Sequence, residues 1–289
     1  MKLAACLAAA LVLLAAGCGG ENVYGEAPAT TEASPPATTG AAGTTEPAPA
    51  AQTSFLVYFA RGERLGVASR SVAKTEAVGA AALAALLAGP RDDERGDAGL
   101  GSEIPAGTRL LGLSIAGGVA TVNLSHEFES GGGSTSMLLR VAQVVFTLTQ
   151  FPTVERVRFA LDGEPAAAIG GEGVVVDPPA GRGEFEGQAP AILIESPAPF
   201  ERVTSPLRIR GSANVFEATF SAEIADNAGS VLTERIVTAT SGTGERGTFD
   251  AELLFEPTAP GRLVLTVFTY SAKDGSRQDV VEIPLELAP

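Results

Sequence analysis

The chain of 289 residues is acidic, with 34 Asp and Glu against 20 Lys and Arg and a formal net charge of −14. This balance argues against a basic surface that binds nucleic acid and against a peripheral grip on anionic lipid. Because only two cysteines and one histidine are present, the chain has few side chains for thiolate metal sites, thiol nucleophiles or general-base catalysis.

The N-terminus has the pattern of a secretory signal. Lys2 precedes an uncharged apolar run from Leu3 to Ala16, too short to cross a bilayer as a helix but long enough for the apolar core of a signal peptide. The stretch from Leu14 to Cys18 resembles a bacterial lipobox, although Ala15 occupies the place where leucine is commonest. We therefore predict a lipoprotein signal peptide over residues 1–17 and a diacylglyceryl group on Cys18. An ordinary secretory signal with an incidental cysteine is the alternative.

Cleavage before Cys18 removes Cys6, which leaves one cysteine and no internal disulfide in the mature chain. Since two acyl chains anchor a protein stably, the predicted location is extracytoplasmic, with the chain held to the cell membrane by its N-terminal lipid. Residues 18–53 are rich in Ala, Thr and Pro, with almost no large apolar side chains. We predict that this segment is a disordered tether, because it cannot bury enough surface to offset the entropy of ordering.

Strands and helices alternate over residues 54–176, which predicts a small mixed α/β sandwich. The helices follow from capping residues and from apolar spacing, and the hairpins from glycine-containing turns. The predicted elements are two strands around a turn at Arg61-Gly62, a helix over Thr75–Pro90 with Thr75 as N-cap and Gly89-Pro90 as stop, a hairpin turning at Gly117-Gly118, a helix from about Ser134 to Gln150, and a strand running into an Asp162-Gly163 turn.

The pattern of predicted elements changes after Asp177. Residues 177–189 are predicted to be a linker, and residues 190–289 contain only strand-length segments, seven in all, separated by turns. The sequences Asp226 to Gly229 and Asp274-Gly275 are hairpin signals. Seven short strands in about a hundred residues indicate an all-β immunoglobulin-like sandwich, although the cysteine pair and tryptophan of antibody domains are absent.

Residues 54 to about 176 resemble the GerMN domain of sporulation and germination lipoproteins. The stretches that carry this resemblance are VYFARGERL, LLAGP, SEIPAGTRLLGLSI, ATVNLS and AQVVFTLTQFPTVERVRFALDG. Residues 190 to 287 resemble the immunoglobulin-like Gmad2 domain that often follows it, through ESPAPFERVTSPLRIRGSANVFEATF, GTFDAELLF and FTYSAKDGS. The resemblance implies an envelope-exposed lipoprotein of binding or scaffolding type, and it brings no catalytic residue.

The residues themselves offer weak catalytic candidates. His126 has Ser125 and Glu127 as neighbours, but adjacent residues of an extended segment point to opposite faces and cannot form a triad alone. We therefore interpret His126 as a polar strand end. The sequence GLSIA at Gly112–Ala116 falls one residue short of a G-x-S-x-G elbow and lies in a hairpin strand. No catalytic residue is predicted.

Two further stretches could bind ions. The glycine run in SGGGSTS could hold an anion on backbone N–H groups, but no lysine follows, so a flexible joint with Ser134 or Thr135 as helix N-cap is preferred. An acidic run lacks the alternating spacing of a calcium loop, so it is interpreted as a solvated loop and no metal or cofactor site is predicted. Its carboxylates are Asp92, Asp93, Glu94 and Asp97.

The sequence therefore predicts a non-catalytic binding or scaffolding module of the cell envelope. Its expected partners are the membrane, through the lipid, and an envelope protein or a cell-wall component; nucleic acid is not expected, and homo-oligomerisation is left open. Two alternatives remain: a ligand-sensing accessory lipoprotein of a membrane signalling system, and a cell-wall enzyme that uses carboxylates. A pocket with two close acids would favour the enzyme.

Overall fold

The computed structural model describes residues 51–171, 173–256 and 261–288. The predicted signal peptide, Cys18 and nearly all of the predicted tether lie outside the described residues. The described residues belong to one compact unit. Among the residues that the structure describes, no helix has the length and apolar character needed to cross a membrane.

The first part of the unit, residues 52–188, is called the α/β region here. It contains three helices, eight strands and two 3₁₀ turns at His126–Glu129 and Arg182–Gln188. The strands and helices are β1 (Gln52–Arg61), β2 (Arg64–Ala73), α1 (Val78–Ala88), α2 (Asp92–Gly96), β3 (Leu110–Ala116), β4 (Val119–Leu124), α3 (Ser134–Leu148), β5 (Arg156–Leu161), β6 (Glu164–Pro165), β7 (Ala168–Ile169) and β8 (Val174–Val175).

Helix α3 is the centre of the α/β region. It connects β4 to β5, which pair in parallel, so β4, α3 and β5 form a β-α-β unit. The sheet order is β3-β4-β5-β6, while β1 and β2 form a separate antiparallel hairpin. The helix lies against β1 and α1. Its side chains are buried at Met137 and at every position from Leu139 to Leu148, so it is buried nearly all round.

Polar side chains near the C-terminal end of α3 pair with the edge of β1 that β2 leaves open. The backbone N–H of Leu56 donates to Oε1 of Gln150 at 2.7 Å, and Nε2 of Gln150 donates to the Leu56 carbonyl at 2.7 Å. The Tyr58 N–H donates to Oγ1 of Thr147 at 3.1 Å. These amide and hydroxyl groups occupy the place of a third strand and protect the edge.

The predicted elements of the α/β region are present, with corrections at their ends. Helix α1 begins at Val78 with Ala77 as N-cap; Thr75 is not the N-cap, because its hydroxyl accepts a local bond from the Ala77 N–H at 3.1 Å. The predicted stop is confirmed, since Gly89 has a φ of +82°. The first hairpin turns at Gly62-Glu63, because Arg61 pairs with Arg64.

The start of α3 is also different from the prediction. Gly133 is the N-cap, and its carbonyl accepts the first helical bond from the Met137 N–H at 2.9 Å. Neither Ser134 nor Thr135 is the cap, since both have already entered the helix. Glycine is a tolerated N-cap residue, and no side-chain capping bond forms at this end of the helix.

The second part, residues 190–288, is called the sandwich region here. Its strands are β9 (Ile192–Ser196), β10 (Arg202–Val203), β11 (Leu207–Ala213), β12 (Thr219–Asp226), β13 (Val231–Thr238), β14 (Gly247–Leu253), β15 (Arg262–Tyr270) and β16 (Arg277–Leu287). They form a five-stranded sheet in the order β10-β16-β15-β12-β13 and a three-stranded sheet in the order β14-β11-β9. The seven predicted strands and both predicted hairpins are confirmed, and the two-residue β10 is added.

Strand β9 belongs to both hydrophobic cores. Ile192 and Ile194 point into the core of the sandwich region, whereas Leu193 packs into the core of the α/β region. The preceding segment, predicted as a linker, contains the 3₁₀ turn Arg182–Gln188, and Phe185 in that turn is buried in the same α/β core. The two regions are therefore packed together through β9 and the turn before it.

Candidate functional site

A groove with both apolar and polar walls lies on the outer face of the five-stranded sheet. It encloses about 440 Å³ between β12, β13, β15, β16 and the loop after β11. Phe216, Ile236 and Tyr270 line it and are 73%, 70% and 54% exposed. Three large apolar side chains are therefore exposed side by side. Exposed apolar patches of this kind mark interaction sites on protein surfaces. We call Phe216, Ile236 and Tyr270 the outer-face triad.

A layer of packed side chains supports Tyr270. The Phe268 ring beneath it is fully buried and meets the Tyr270 ring edge-on at 5.1 Å. The Arg277 guanidinium lies 3.9 Å from the Phe268 ring centre and donates to Glu223 at 2.6 Å. The Tyr270 hydroxyl donates to Glu234 at 3.2 Å. Since its ring and hydroxyl are both held, Tyr270 is pre-organised for contact.

Phe216 is presented by a strained turn. The two following residues, Glu217 and Ala218, have φ values of +53° and +56°, in the left-handed region that non-glycine residues rarely adopt. Thr243, also at a positive φ of 56°, holds this turn: its N–H donates to the Val215 carbonyl at 2.9 Å and its hydroxyl accepts from the Glu217 N–H at 3.0 Å. Strain of this kind is concentrated at functional sites.

A second polar cluster joins the two regions. The hydroxyl of Tyr58 on β1 donates a short hydrogen bond to Glu195 on β9, and Arg182 donates to Glu195 at 2.9 Å. Arg182 also lies over the Phe146 ring, 4.8 Å from its centre. Burial raises the pKa of Tyr58 well above its usual range. Burial alone would lower the pKa of Arg182, but Tyr58 and Glu195 raise it on balance. This cluster is structural, since it fixes β9 against the α/β region.

His126 lies at the start of a 3₁₀ turn after β4, as a polar strand end should. Its Nδ1 is 3.4 Å from a carboxylate oxygen of Asp162 and 3.9 Å from one of Glu127. Ser125 is fully buried and accepts the Arg109 N–H through its hydroxyl, so no reactant can reach it. The histidine and the serine are therefore not brought together as base and nucleophile.

The acidic run is not a solvated loop throughout, and that prediction is corrected. Asp92 to Gly96 form helix α2, and Glu94 is buried. Both guanidinium nitrogens of Arg70 donate to the Glu94 carboxylate, at 2.5 and 2.7 Å. Glu94 also accepts the Arg91 N–H at 2.8 Å. The carboxylate ties α2 to β2, and among the described residues no group of three metal-ligating side chains occurs.

The remaining predicted candidates have structural roles or lie elsewhere. The GLSIA sequence spans β3, where no strand-to-helix elbow forms. The glycine run precedes α3, and Arg140 donates to the Gly131 carbonyl there at 3.1 Å, so this turn is held from the helix. The predicted lipid attachment residue, Cys18, lies outside the described residues.

The outer-face triad was missed by sequence reasoning, although one signal was present. Ile236 and Val237 are adjacent apolar residues in a strand whose side chains alternate between two faces, so one of them had to face outward. Phe216 lies between predicted strands and carries no periodic signal. Only the strand register shows that Ile236, and not Val237, points away from the core.

Two family models match the chain in sequence order. Residues 56–167 match Germane, described as sporulation and spore germination, and residues 191–276 match Gmad2, described as the immunoglobulin-like domain of bacterial spore germination. No curated protein matches the chain. The matched ranges correspond to the α/β region and the sandwich region, and the observed architecture is that expected from the sequence.

Solved structures from Bacillus subtilis are similar to parts of the chain. The tandem GerMN domains of the sporulation protein GerM are 17% identical, with 70% of this chain and 61% of that chain covered at a TM-score of 0.41. The first GerMN domain of GerM is 22% identical, with 45% and 98% covered at a TM-score of 0.38. These similarities are too distant to say anything about what the chain binds.

Proposed function

Because the chain carries a Germane (GerMN) domain followed by a Gmad2 domain, we propose that it is a lipid-anchored, non-catalytic binding protein of the cell envelope. The descriptions of both families refer to spore germination. The lipobox-like stretch ending at Cys18 supports the anchor, and the outer-face triad supports binding. A protein partner in the envelope docks on that triad while the lipid holds the chain at the membrane.

The exposed triad is the observation that carries the proposal. Aromatic residues are enriched at protein interfaces, and buried anchors among them supply most of the binding free energy. Tyr270 is held through its ring and its hydroxyl, and Thr243 fixes the backbone turn that carries Phe216, so less conformational entropy is lost on docking. The non-catalytic character is supported by His126, which is exposed beside two carboxylates, and by Glu94, whose carboxylate is engaged by Arg70.

Photo-cross-linking in native membranes tests the docking surface. A photoreactive residue at Thr219, inside the groove, is expected to give one discrete cross-linked species in the full-length protein. Ile236→Ser and Phe216→Ser should abolish it, since each removes an apolar anchor. Leu254→Ser is the matched control, because Leu254 is 74% exposed and lies after β14, on the other sheet. Equal loss in Leu254→Ser, or no loss in the triad variants, would contradict the proposal.

Fractionation tests the anchor separately. Cys18→Ser should move the protein from the membrane to the soluble fraction or leave it unprocessed, because the acyl chains supply the membrane affinity. Mass spectrometry of the N-terminal peptide should show the lipid in the wild-type protein alone. A Cys18→Ser protein that stays membrane-bound and processed would contradict lipid anchoring, whatever the cross-linking result.

A further inference from the structure

A second cavity lies away from the outer-face triad, where the two regions meet. It encloses about 240 Å³ between β2, β9 and β16. Its walls are largely aliphatic and include Leu65, Val67, Ile192, Ile194, Val281 and Ile283. Clefts between packed domains, with apolar walls and a few polar groups, are favoured places for small ligands.

Among the residues that the structure describes, Arg61 and Arg64 are the only charged ones that line this cavity. They face each other directly across the last pair of the β1–β2 hairpin, which turns at Gly62-Glu63. Like charges directly opposite each other on paired strands destabilise a hairpin. A protein with a formal net charge of −14 thus places two positive charges side by side at the rim of an apolar cavity.

Neither guanidinium forms a hydrogen bond or a close ion pair with any residue that the structure describes. Arg70, Arg182, Arg208 and Arg277 show the contrasting arrangement, since each has a carboxylate within 3.0 Å. Glu282 acts on Arg61 electrostatically from a greater distance, but burial prevails and lowers the Arg61 pKa. Arg61 is therefore a partly desolvated cation whose donors are unused.

We propose that this cavity binds a small amphipathic anion, with its carboxylate or phosphate on Arg61 and Arg64 and its aliphatic body between β2, β9 and β16. The two guanidinium groups offer paired donors that match either anionic group. The anion would accept hydrogen bonds from the unused guanidinium donors, and the aliphatic walls would take up the apolar body. This inference is independent of docking at the outer-face triad.

The cavity size limits the ligand. Pockets for drug-sized molecules enclose about 300–1,000 Å³, so a cavity of about 240 Å³ suits a short aliphatic chain rather than a long acyl chain. Because the walls come from both regions, a bound ligand contacts the α/β region and the sandwich region together. Ligand binding is therefore expected to stabilise the packing between them.

Calorimetry on the lipid-anchored protein in zwitterionic nanodiscs tests the proposal, with empty nanodiscs as the blank. Three probes separate the contributions: hexanoate, its neutral counterpart hexanamide, and inorganic phosphate, which has no apolar body. Hexanoate is expected to bind at least tenfold more tightly than either of the others. Arg61→Gln and Arg64→Gln should each weaken hexanoate binding about tenfold or more, which corresponds to about 1.4 kcal/mol.

Arg158→Gln is the matched control, because Arg158 is an exposed β5 arginine outside the cavity and its loss should leave hexanoate binding within about twofold. Equal binding of hexanamide, equal binding of phosphate, unchanged binding in both arginine variants, or no binding of hexanoate would each overturn the proposal. Ile236→Ser should leave hexanoate binding intact, so that this result and the docking result can fail separately. Circular dichroism of each variant checks that the fold is retained.

Discussion

The α/β region and the sandwich region provide hydrogen-bond partners for their buried polar groups in different ways. Both contain backbone groups and polar side chains that burial would leave without water. In the sandwich region the backbone N–H and carbonyl groups of neighbouring strands form hydrogen bonds with one another. Ion pairs lie on the exposed strand surfaces, as between Arg208 and Asp250 at 2.6 Å. In the α/β region a helix supplies the missing partners, through buried side chains such as Arg140, Gln143 and Thr147.

This difference shows where each region is vulnerable. A side chain on α3 that holds several backbone groups has no substitute, because the surrounding core excludes water. An ion pair on the sandwich surface can be replaced by solvation. Single substitutions should therefore damage the α/β region much more than the sandwich region, even where the residue type and the number of charges changed are the same.

The largest effect is expected for Arg140→Met. Arg140 donates to four backbone carbonyls, those of Glu103, Phe128, Ser130 and Gly131, at 2.6 to 3.2 Å. Methionine fills much of the space but donates no hydrogen bond, so the carbonyl of the buried Phe128 loses its partner, and the free energy of unfolding is expected to fall by about 2–4 kcal/mol. Urea unfolding measures the change.

Arg208→Met is the matched substitution in the sandwich region. It breaks an exposed pair with Asp250 and should cause a much smaller loss in the same urea experiment, since solvent replaces both partners. Equal losses for Arg140→Met and Arg208→Met would show that the two regions do not differ in the way described.

An intermediate effect is expected for Gln150→Leu. Its amide holds both the N–H and the carbonyl of Leu56 on β1, and losing these bonds should lower the free energy of unfolding by about 1–3 kcal/mol. Hydrogen exchange at the Leu56 amide should accelerate in proportion. Gln278→Leu, at an exposed glutamine on β16, should change stability by less than about 0.5 kcal/mol. An unchanged exchange rate at the Leu56 amide in Gln150→Leu would show that Gln150 does not stabilise the edge of β1.

The smallest effect is expected at the boundary between the regions and depends on pH. Glu186 accepts from Arg246 at 2.9 Å and from Asn214 at 3.0 Å. Burial would raise its pKa, but these bonds lower the pKa on balance below the ordinary value of a glutamate. The folded protein is therefore stabilised above about pH 5, and this contribution disappears as the pH falls through the lowered pKa of the folded state.

Glu186→Gln should accordingly lower stability at pH 7 by less than about 1 kcal/mol, since the carboxylate is partly exposed, and by nothing near pH 2. Urea unfolding at both pH values measures the difference. In an Arg246→Gln background, Glu186→Gln should have little further effect at pH 7, because its main partner is gone. A gap between wild type and Glu186→Gln that persists at pH 2 would contradict this account.

The sandwich strands were predictable because alternation of apolar and polar residues is a local signal, and each strand pairs with strands of the same kind. Helix α3 was predicted at nearly the right bounds, but its spacing gave no partner for its polar residues. Gln143 and Thr147 instead bind β1, roughly 85 to 89 residues away in sequence. Glu94 was predicted to lie in a solvated loop because its partner, Arg70, lies on a different element, β2, and the local sequence gives no sign of the pair.

The candidate sites could not be predicted from the sequence for a related reason. The turn of the first hairpin was placed at Arg61-Gly62, one residue early, and this shift hides the fact that Arg61 and Arg64 face each other. The outer-face triad joins Phe216, Ile236 and Tyr270 from three separate segments. In both cases the individual residues are ordinary, and only the strand register brings them to one place.

The dependence of β1 on α3 has a consequence for the order of biosynthesis. Leu56 and its partner Gln150 are 94 residues apart, so the ribosome completes the β1–β2 hairpin long before the residues that cover its edge exist. From the end of β2 at Ala73 to Gln150, synthesis at roughly 5–20 residues per second takes about 4–15 s. Throughout it, the nascent chain displays an open strand edge, which is a template for pairing with other chains. A chaperone that shields extended segments during this interval should therefore raise the yield of folded protein, and chains truncated before Gln150 should aggregate.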